Sequence, residues 1–208
     1  MTVQAPDQRA RPRKQPRQAR ARHTVEAIIE ASARILEEQG HGGFTTNAAA
    51  ELAGVSIGTL YQYFPDKNAL LGALITRETT LLVEEAEAAC VMPEGQQALN
   101  ALIQAAVRHQ VRRPRLARLL DFEEARLPLD AGTQVVRSRF VAILAEILAR
   151  PDLPRQSDMA AATGDVAAIM RGMIDAAGER GEHGQEALVA RVGRAVLGYL
   201  SMPACSGP

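Results

Sequence analysis

Residues 45–67 read TTNAAAELAGVSIGTLYQYFPDK, and the spacing within this stretch decides what kind of fold it can make. Two short helices that cross closely need a small residue on the first, a turn that accepts positive φ, and an apolar anchor on the second. Ala50, Gly54 and Leu60 supply these in that order. Thr45 is placed to cap the first helix, which runs through Ala53, and Gly54-Val55-Ser56 breaks it. The second helix spans about Ile57 to Tyr63, and Pro65-Asp66 opens another with Asp66 as its cap.

The polar content of the second helix points to its partner. Ser56, Thr59, Tyr61, Gln62 and Tyr63 crowd around Leu60 and Phe64, where a merely solvated helix would carry Lys and Glu. Hydroxyl and amide groups are what base edges and phosphate oxygens pair with. Gly58 allows the backbone to approach a groove where a side chain would clash. Lys67 stands in the first turn of the next helix, where its charge can join free backbone N–H groups around a phosphate. The stretch therefore predicts a helix-turn-helix that docks on double-stranded DNA.

Working outward, residues 1–22 carry seven basic side chains against one acid, Asp7, while the whole chain is formally neutral. A basic arm on an acidic body suits a polyanionic partner. With Pro6, Pro12 and Pro16 and little apolar surface, the arm is expected to be disordered when free. Thr24 is expected to cap a helix whose apolar positions Val25, Ile28, Ile29, Ile35 and Leu36 recur at helical spacing as far as Gly40. The helix opened by Asp66 carries Leu70, Leu71, Leu74, Ile75, Leu81 and Leu82 and continues to about Val91. Further helices are predicted at about 94–112, 114–127, 132–149, 155–179 and 184–201, separated by Pro114, Pro128, Pro151, Pro154 and a glycine-rich stretch. The fold class is all-α. A basic arm (1–22) precedes an N-terminal helix-turn-helix domain (23–68), and the long fourth helix leads into a larger helical domain (69–208).

The segment AGVSIGTLYQYFPDKNALL, Ala53 to Leu71, resembles the signature of the TetR family of bacterial regulators across the turn, the recognition helix and the start of the fourth helix. With the first helix, the resemblance covers about residues 22–80; beyond that the chain is similar only in the number and lengths of its helices. The resemblance implies phosphate contacts from Thr45, Thr59, Tyr61, Tyr63 and Lys67, and base or groove contacts from Ser56, Ile57, Gly58 and Gln62. It departs from the family at Ala48 and Ala49, where a polar or basic residue and a bulky aliphatic are usual. A smaller core and a lost phosphate contact would weaken DNA binding, and the arm would compensate by neutralising further phosphates. Deleting residues 1–20 should then lower both affinity and its salt dependence; unchanged values would dismiss that role.

The same resemblance implies a homodimer joined through the last two helices, an effector pocket among the middle ones, and a repressor released from a palindromic operator by a small molecule. An activator or a ligand-independent regulator of the same fold is the alternative. Leu188, Val192, Ala195, Val196 and Tyr199, with Val166, Ile169, Met170, Met173 and Ile174, form stripes that suit either a dimer face or an internal core. Candidate pocket residues are Leu102, Ala106, His109, Leu119, Phe122, Phe140, Leu144 and Met170. With few aromatics and no evident buried charge cluster, a largely apolar effector is expected. Asp121-Phe122-Glu123-Glu124, flanked by Arg118 and Arg126, reads as a solvated, salt-bridged face, and Arg112-Arg113-Pro114-Arg115 as surface far from the DNA-binding domain.

Other functions find little support. The chain has no His-Glu-x-x-His, Cys-x-x-Cys, Gly-x-Ser-x-Gly or P-loop, so no catalytic activity, metal or cofactor is expected. The arm lacks the interleaved large apolar residues of a membrane-surface helix. No run of apolar residues is long enough to cross a bilayer, and no secretory leader follows the basic N-terminus. Cys90 and Cys205 form no disulfide framework, which suits a reducing, cytoplasmic setting on the nucleoid.

Overall fold

The computed structural model describes residues 16–124, 126, 131–182 and 184–202, and all of the regular structure among them is helical. In chain order the helices are α1 (Pro16–Gly43), α2 (Thr46–Leu52), α3 (Ile57–Tyr63), α4 (Lys67–Cys90), α5 (Gly95–Arg112), α6 (Pro114–Glu124), α7 (Ala131–Leu148), α8 (Met159–Glu179) and α9 (Gln185–Ser201).

The start of α1 corrects two expectations. Pro16 sits at the first helical position, where a missing N–H costs nothing, and Gln18, Ala19, Arg20, Ala21 and Arg22 are good helix formers. Residues 16–22 are therefore helical rather than disordered; the rest of the arm, 1–15, lies outside the described residues. Thr24 is not a cap, since its hydroxyl donates to the Arg20 carbonyl one turn back at 2.9 Å. Gly40, at φ 64°, interrupts α1 where the helix was expected to end, and one further turn reaches Gly43.

Two further helix starts are set by aspartate caps. Asp66 Oδ1 accepts from the Ala69 N–H at 2.8 Å, opening α4. Asp158 Oδ1 accepts from the Ala161 N–H at 2.9 Å, so α8 begins at Met159, a few residues later than expected. Of the loop after α6 only Arg126 is described; the predicted break at Pro128 lies outside the described residues, as does Cys205.

Two apolar cores organise the molecule. The first gathers Ile28, Leu36, Phe44, Ala49, Ala50, Leu60, Leu70 and Leu74 from α1–α4, and adds Leu116 and Leu120 from α6. The second is built from α4, α5, α7, α8 and α9. α4 belongs to both, and its 24 residues span roughly 36 Å. The structure adds what the sequence did not suggest: α6 also packs on α1 and completes the first core.

Candidate nucleic-acid interface and effector cavity

Gly54 adopts φ 69°, the left-handed geometry the turn requires, and only glycine does so without strain. Ala49 and Ala50 are buried, which lets α2 lie close to α3. α3 sends Leu60 into the core, fully buried, and uses no other residue of its seven that way. Ser56 caps it by accepting from the Thr59 N–H at 3.0 Å, and the two hydroxyls lie 2.8 Å apart. The Tyr61 and Thr46 hydroxyls, 3.2 Å apart, tie α3 to α2. Thr45 caps α2 by accepting from the Ala48 N–H at 3.1 Å.

With one residue anchored, the rest of α3 faces outward. Ser56, Ile57, Gly58, Tyr61, Gln62 and Tyr63 are exposed, together with Thr45, while Thr59 is half-buried. Ile57 and Tyr61 are large side chains left 37% and 50% exposed. A Cβ on Gly58 would meet only the Ser56 hydroxyl, at 3.8 Å. Packing within the chain therefore does not demand glycine there, in keeping with a place kept clear for a partner.

Lys67 departs from the expectation. It is half-buried, its Nζ donates to the His41 carbonyl at 3.4 Å, and it lies 5.1 Å from the centre of the Phe44 ring. It is thus engaged with the end of α1 as well as standing beside the α4 N-terminus. Ala49 is fully buried in the first core, so the short side chain at this departure from the family pattern is closed over by its neighbours.

The middle helices enclose a cavity of about 490 Å³ bounded by α4–α8. Of the candidates, Ala106, His109, Phe140 and Met170 line it. Leu102 and Leu144 are fully buried core residues of the second cluster. Leu119 packs against the first core instead. Phe122 is 54% exposed and lies between His41 and Arg126, 6.4 Å and 5.0 Å from its ring centre. These last four are on other faces of their helices, and a stripe in one dimension does not say which neighbour each face meets.

The charged part of the lining was missed. Glu78, Asp121, Glu124 and Asp175 face the cavity with Arg113, Arg137 and Arg171, above an apolar floor that includes Leu116 and Leu120. The largely apolar effector was expected for want of an evident buried charge cluster, and this lining removes that ground. Burial, then the neighbouring Asp175 charge, pushes the Asp121 carboxyl up to about 6, although solvent still reaches it at the mouth. Burial also raises Asp175, against the pull of Arg171. His109 is shifted the other way: burial holds its pKa below the ordinary histidine value, leaving the imidazole neutral near pH 7.

The 121–124 segment is accordingly no plain solvated face. Arg118 does not pair with it but donates to the Gly178 carbonyl at 2.7 Å. Glu123 lies 3.3 Å from His41 Nε2 of α1, and Glu124 pairs with Arg137 at 3.0 Å. Arg113 is likewise not a distant surface residue. It lines the cavity and also holds Glu37 at 2.8 Å and Glu30 at 3.3 Å, both on α1.

The stripes on α8 and α9 resolve into internal core. Leu188, Val192, Val196, Val166, Met170 and Ile174 are buried within the chain. The residues the two helices turn outward include small ones, Ala161, Gly164, Ala168 and Gly172 on α8 and Ala190 and Gly198 on α9, together with Leu197 and the charged Asp165, Arg171, Glu186 and Arg194. A Cβ on Gly164, Gly172 or Gly198 would meet nothing within 4 Å. Tyr199 donates to Asp165 at 2.6 Å, locking α9 to α8.

A helix-turn-helix with an outward polar recognition helix, joined by a shared helix to a helical domain with its own cavity, defines a DNA-binding protein with a second, separate domain. Comparison with known families agrees. The model of the bacterial regulatory proteins of the tetR family matches residues 28–74, and that of the tetracyclin repressor-like C-terminal domain matches residues 96–200. The chain belongs to the TetR family of bacterial regulators and is a DNA-binding transcriptional regulator. No curated protein matches it.

Solved structures share the fold. The fatty acid degradation regulator FadR from Bacillus halodurans is 18% identical with a TM-score of 0.69, over 86% of this chain and 99% of that one. FadR from Bacillus subtilis, solved in complex with stearoyl-CoA, is 19% identical with a TM-score of 0.69, over 84% and 96%. The TetR family regulator PfmR from Thermus thermophilus is 22% identical with a TM-score of 0.64, over 82% and 96%. At such identities the likeness concerns the fold alone. Among the described residues, no helix is long and apolar enough to cross a membrane.

Proposed function

We propose that the protein is a homodimeric repressor that occupies a palindromic operator and leaves it when a small molecule enters the cavity among α4–α8. The observation that carries this reading is that α4 and α6 each contribute to both the cavity lining and the core of the DNA-binding domain. A ligand that prefers one position of these helices would shift the separation of two recognition helices; one that binds both positions equally would shift nothing. Tyr61, Tyr63, Thr45, Thr59 and Lys67 would hold phosphates, and Gln62, with Ser56, Ile57 and Gly58, would read the groove. The outward faces of α8 and α9, rather than their buried stripes, would form the self-complementary dimer contact. The protein would act in the cytoplasm and catalyse no reaction.

Selection of bound duplexes from a random library, at near-physiological salt, tests the reading. An inverted repeat with half-sites about one helical turn apart is the expected product. Recovery of single half-sites, or retention only at low salt, would dismiss dimeric operator recognition. Effector release is tested afterwards on that operator, by screening compounds for loss of the protein–DNA complex.

A further inference from the structure

The charges around the cavity are unevenly matched. Arg137 is committed to Glu124, and Arg113 to Glu37 and Glu30 of α1. Glu78 is held by Arg77. That leaves Arg171 facing two carboxylates, Asp121 on α6 and Asp175 on α8, neither of which has an ion pair among the described residues. His109 adds no charge, since burial keeps it neutral. One negative charge therefore goes unmatched at the mouth of a cavity whose floor is apolar.

A second feature lies beside the carboxylates. Gln110 is 7% exposed and lines the cavity, and its Nε2 is buried without a hydrogen-bond partner. The amide is near enough to Asp121 to favour its ionised form, without a well-aligned hydrogen bond between them. A buried donor left unpaired costs stability, and a ligand carrying an acceptor removes that cost.

We propose that the cavity selects a cationic amphiphile: an amine or quaternary ammonium seated between Asp121 and Asp175, a nearby acceptor meeting Gln110, and an apolar chain over Leu116, Leu120, Phe140 and Met170. This rests on the reading of the cavity as the effector site. A cation relieves the repulsion between the two carboxylates, which adds to the larger effect of burial in raising the Asp121 pKa. An anionic head group would meet the same pair with only Arg171 uncommitted. In this respect the cavity is suited to a different ligand from the stearoyl-CoA bound by the Bacillus subtilis FadR.

The test is calorimetric titration of the full-length protein with decyltrimethylammonium, decanol and decanoate, each below its micellar concentration. The ammonium should bind at least about tenfold more tightly than the alcohol, and the carboxylate most weakly. Asp121→Asn with Asp175→Asn should lose about tenfold in ammonium affinity while decanol changes by less than about threefold. Asp121→Asn alone, at the solvent-reached mouth, guards against a folding defect in the double variant and should lose part of the same preference. Arg171→Gln should strengthen ammonium binding. Decanoate binding as tightly as the ammonium, ammonium affinity indifferent to the aspartates, or no binding by any of the three would each overturn the cationic ligand class. Decanoate that binds and releases the operator would overturn that class while upholding effector release. An ammonium that binds with the expected preference but leaves operator affinity unchanged would uphold the class and overturn effector release.

Discussion

Gln62 and Tyr63 are neighbours on an exposed helix, yet they are expected to fail differently. Gln62 offers an amide that can pair bidentately with one base, so Gln62→Ala should relax preference at a single base pair by roughly 1–3 kcal/mol. Tyr63 offers one hydroxyl to a phosphate, and Tyr63→Ala should weaken all sequences alike. Affinity measured across a panel of single-base operator variants separates the two outcomes; a uniform loss for Gln62→Ala would remove its base-reading role. These positions are legible in the sequence because the polar residues of α3 leave only Leu60 for the core. Lys67 is half legible. Its place at the head of α4 follows from Asp66, but its lean towards His41 and Phe44 depends on where α1 ends in space.

At the scale of elements, the joint between the two domains is more than the length of α4. Arg77 on α4 pairs with Glu30 at 2.8 Å, and Arg113, between α5 and α6, holds Glu30 and Glu37. Burial works against the Arg113 charge, but the Glu37 hydrogen bond and the Glu30 charge outweigh it and hold its pKa above the ordinary arginine value. Both Arg113 and Glu37 are less than a third exposed, so this pair belongs with the stronger ones. A double-mutant cycle on Arg113→Gln and Glu37→Gln, read by denaturant melts, should give a coupling of about 1–2 kcal/mol. Purely additive losses would mean the contact is an idle surface pair. This joint is misread from sequence for a physical reason. Arg112-Arg113-Pro114-Arg115 looks like any solvated basic run, and α6 is short enough that nothing in its pattern says it folds back on α1.

The whole molecule carries two further expectations. If α8 and α9 pair with those of a second copy through their outward face, Leu197→Glu should put a desolvated charge in the middle of it. Sedimentation should then show monomers at concentrations where the parent chain is dimeric, with secondary structure unchanged; a persisting dimer would place the contact elsewhere. The second expectation concerns pH. The folded-state pKa of Asp121 is raised to about 6 from the ordinary 3.8, so the folded protein binds more protons between those values than the unfolded chain. Stability contributed at this site is therefore highest at low pH and falls as pH rises from about 4 to about 6. Asp121→Asn removes the titration, and its stability relative to the parent should climb across that window and level off above it. A difference that stays flat from pH 4 to 8 would mean solvent at the cavity mouth has erased the shift.

What the sequence alone determined is what local chemistry specifies: the all-helical class, the caps at Thr45 and Asp66, the glycine turn at Gly54, and the outward chemistry of α3. Each depends on residues within one or two turns of one another. Only the tertiary structure decided which apolar stripes are core, where the cavity lies, and that Asp121 and Asp175 share its mouth with Arg171. Helices far apart in the chain bring those residues together. A helical pattern tells which face is apolar, but not which distant face will cover it, nor which charges are left without a partner when it does.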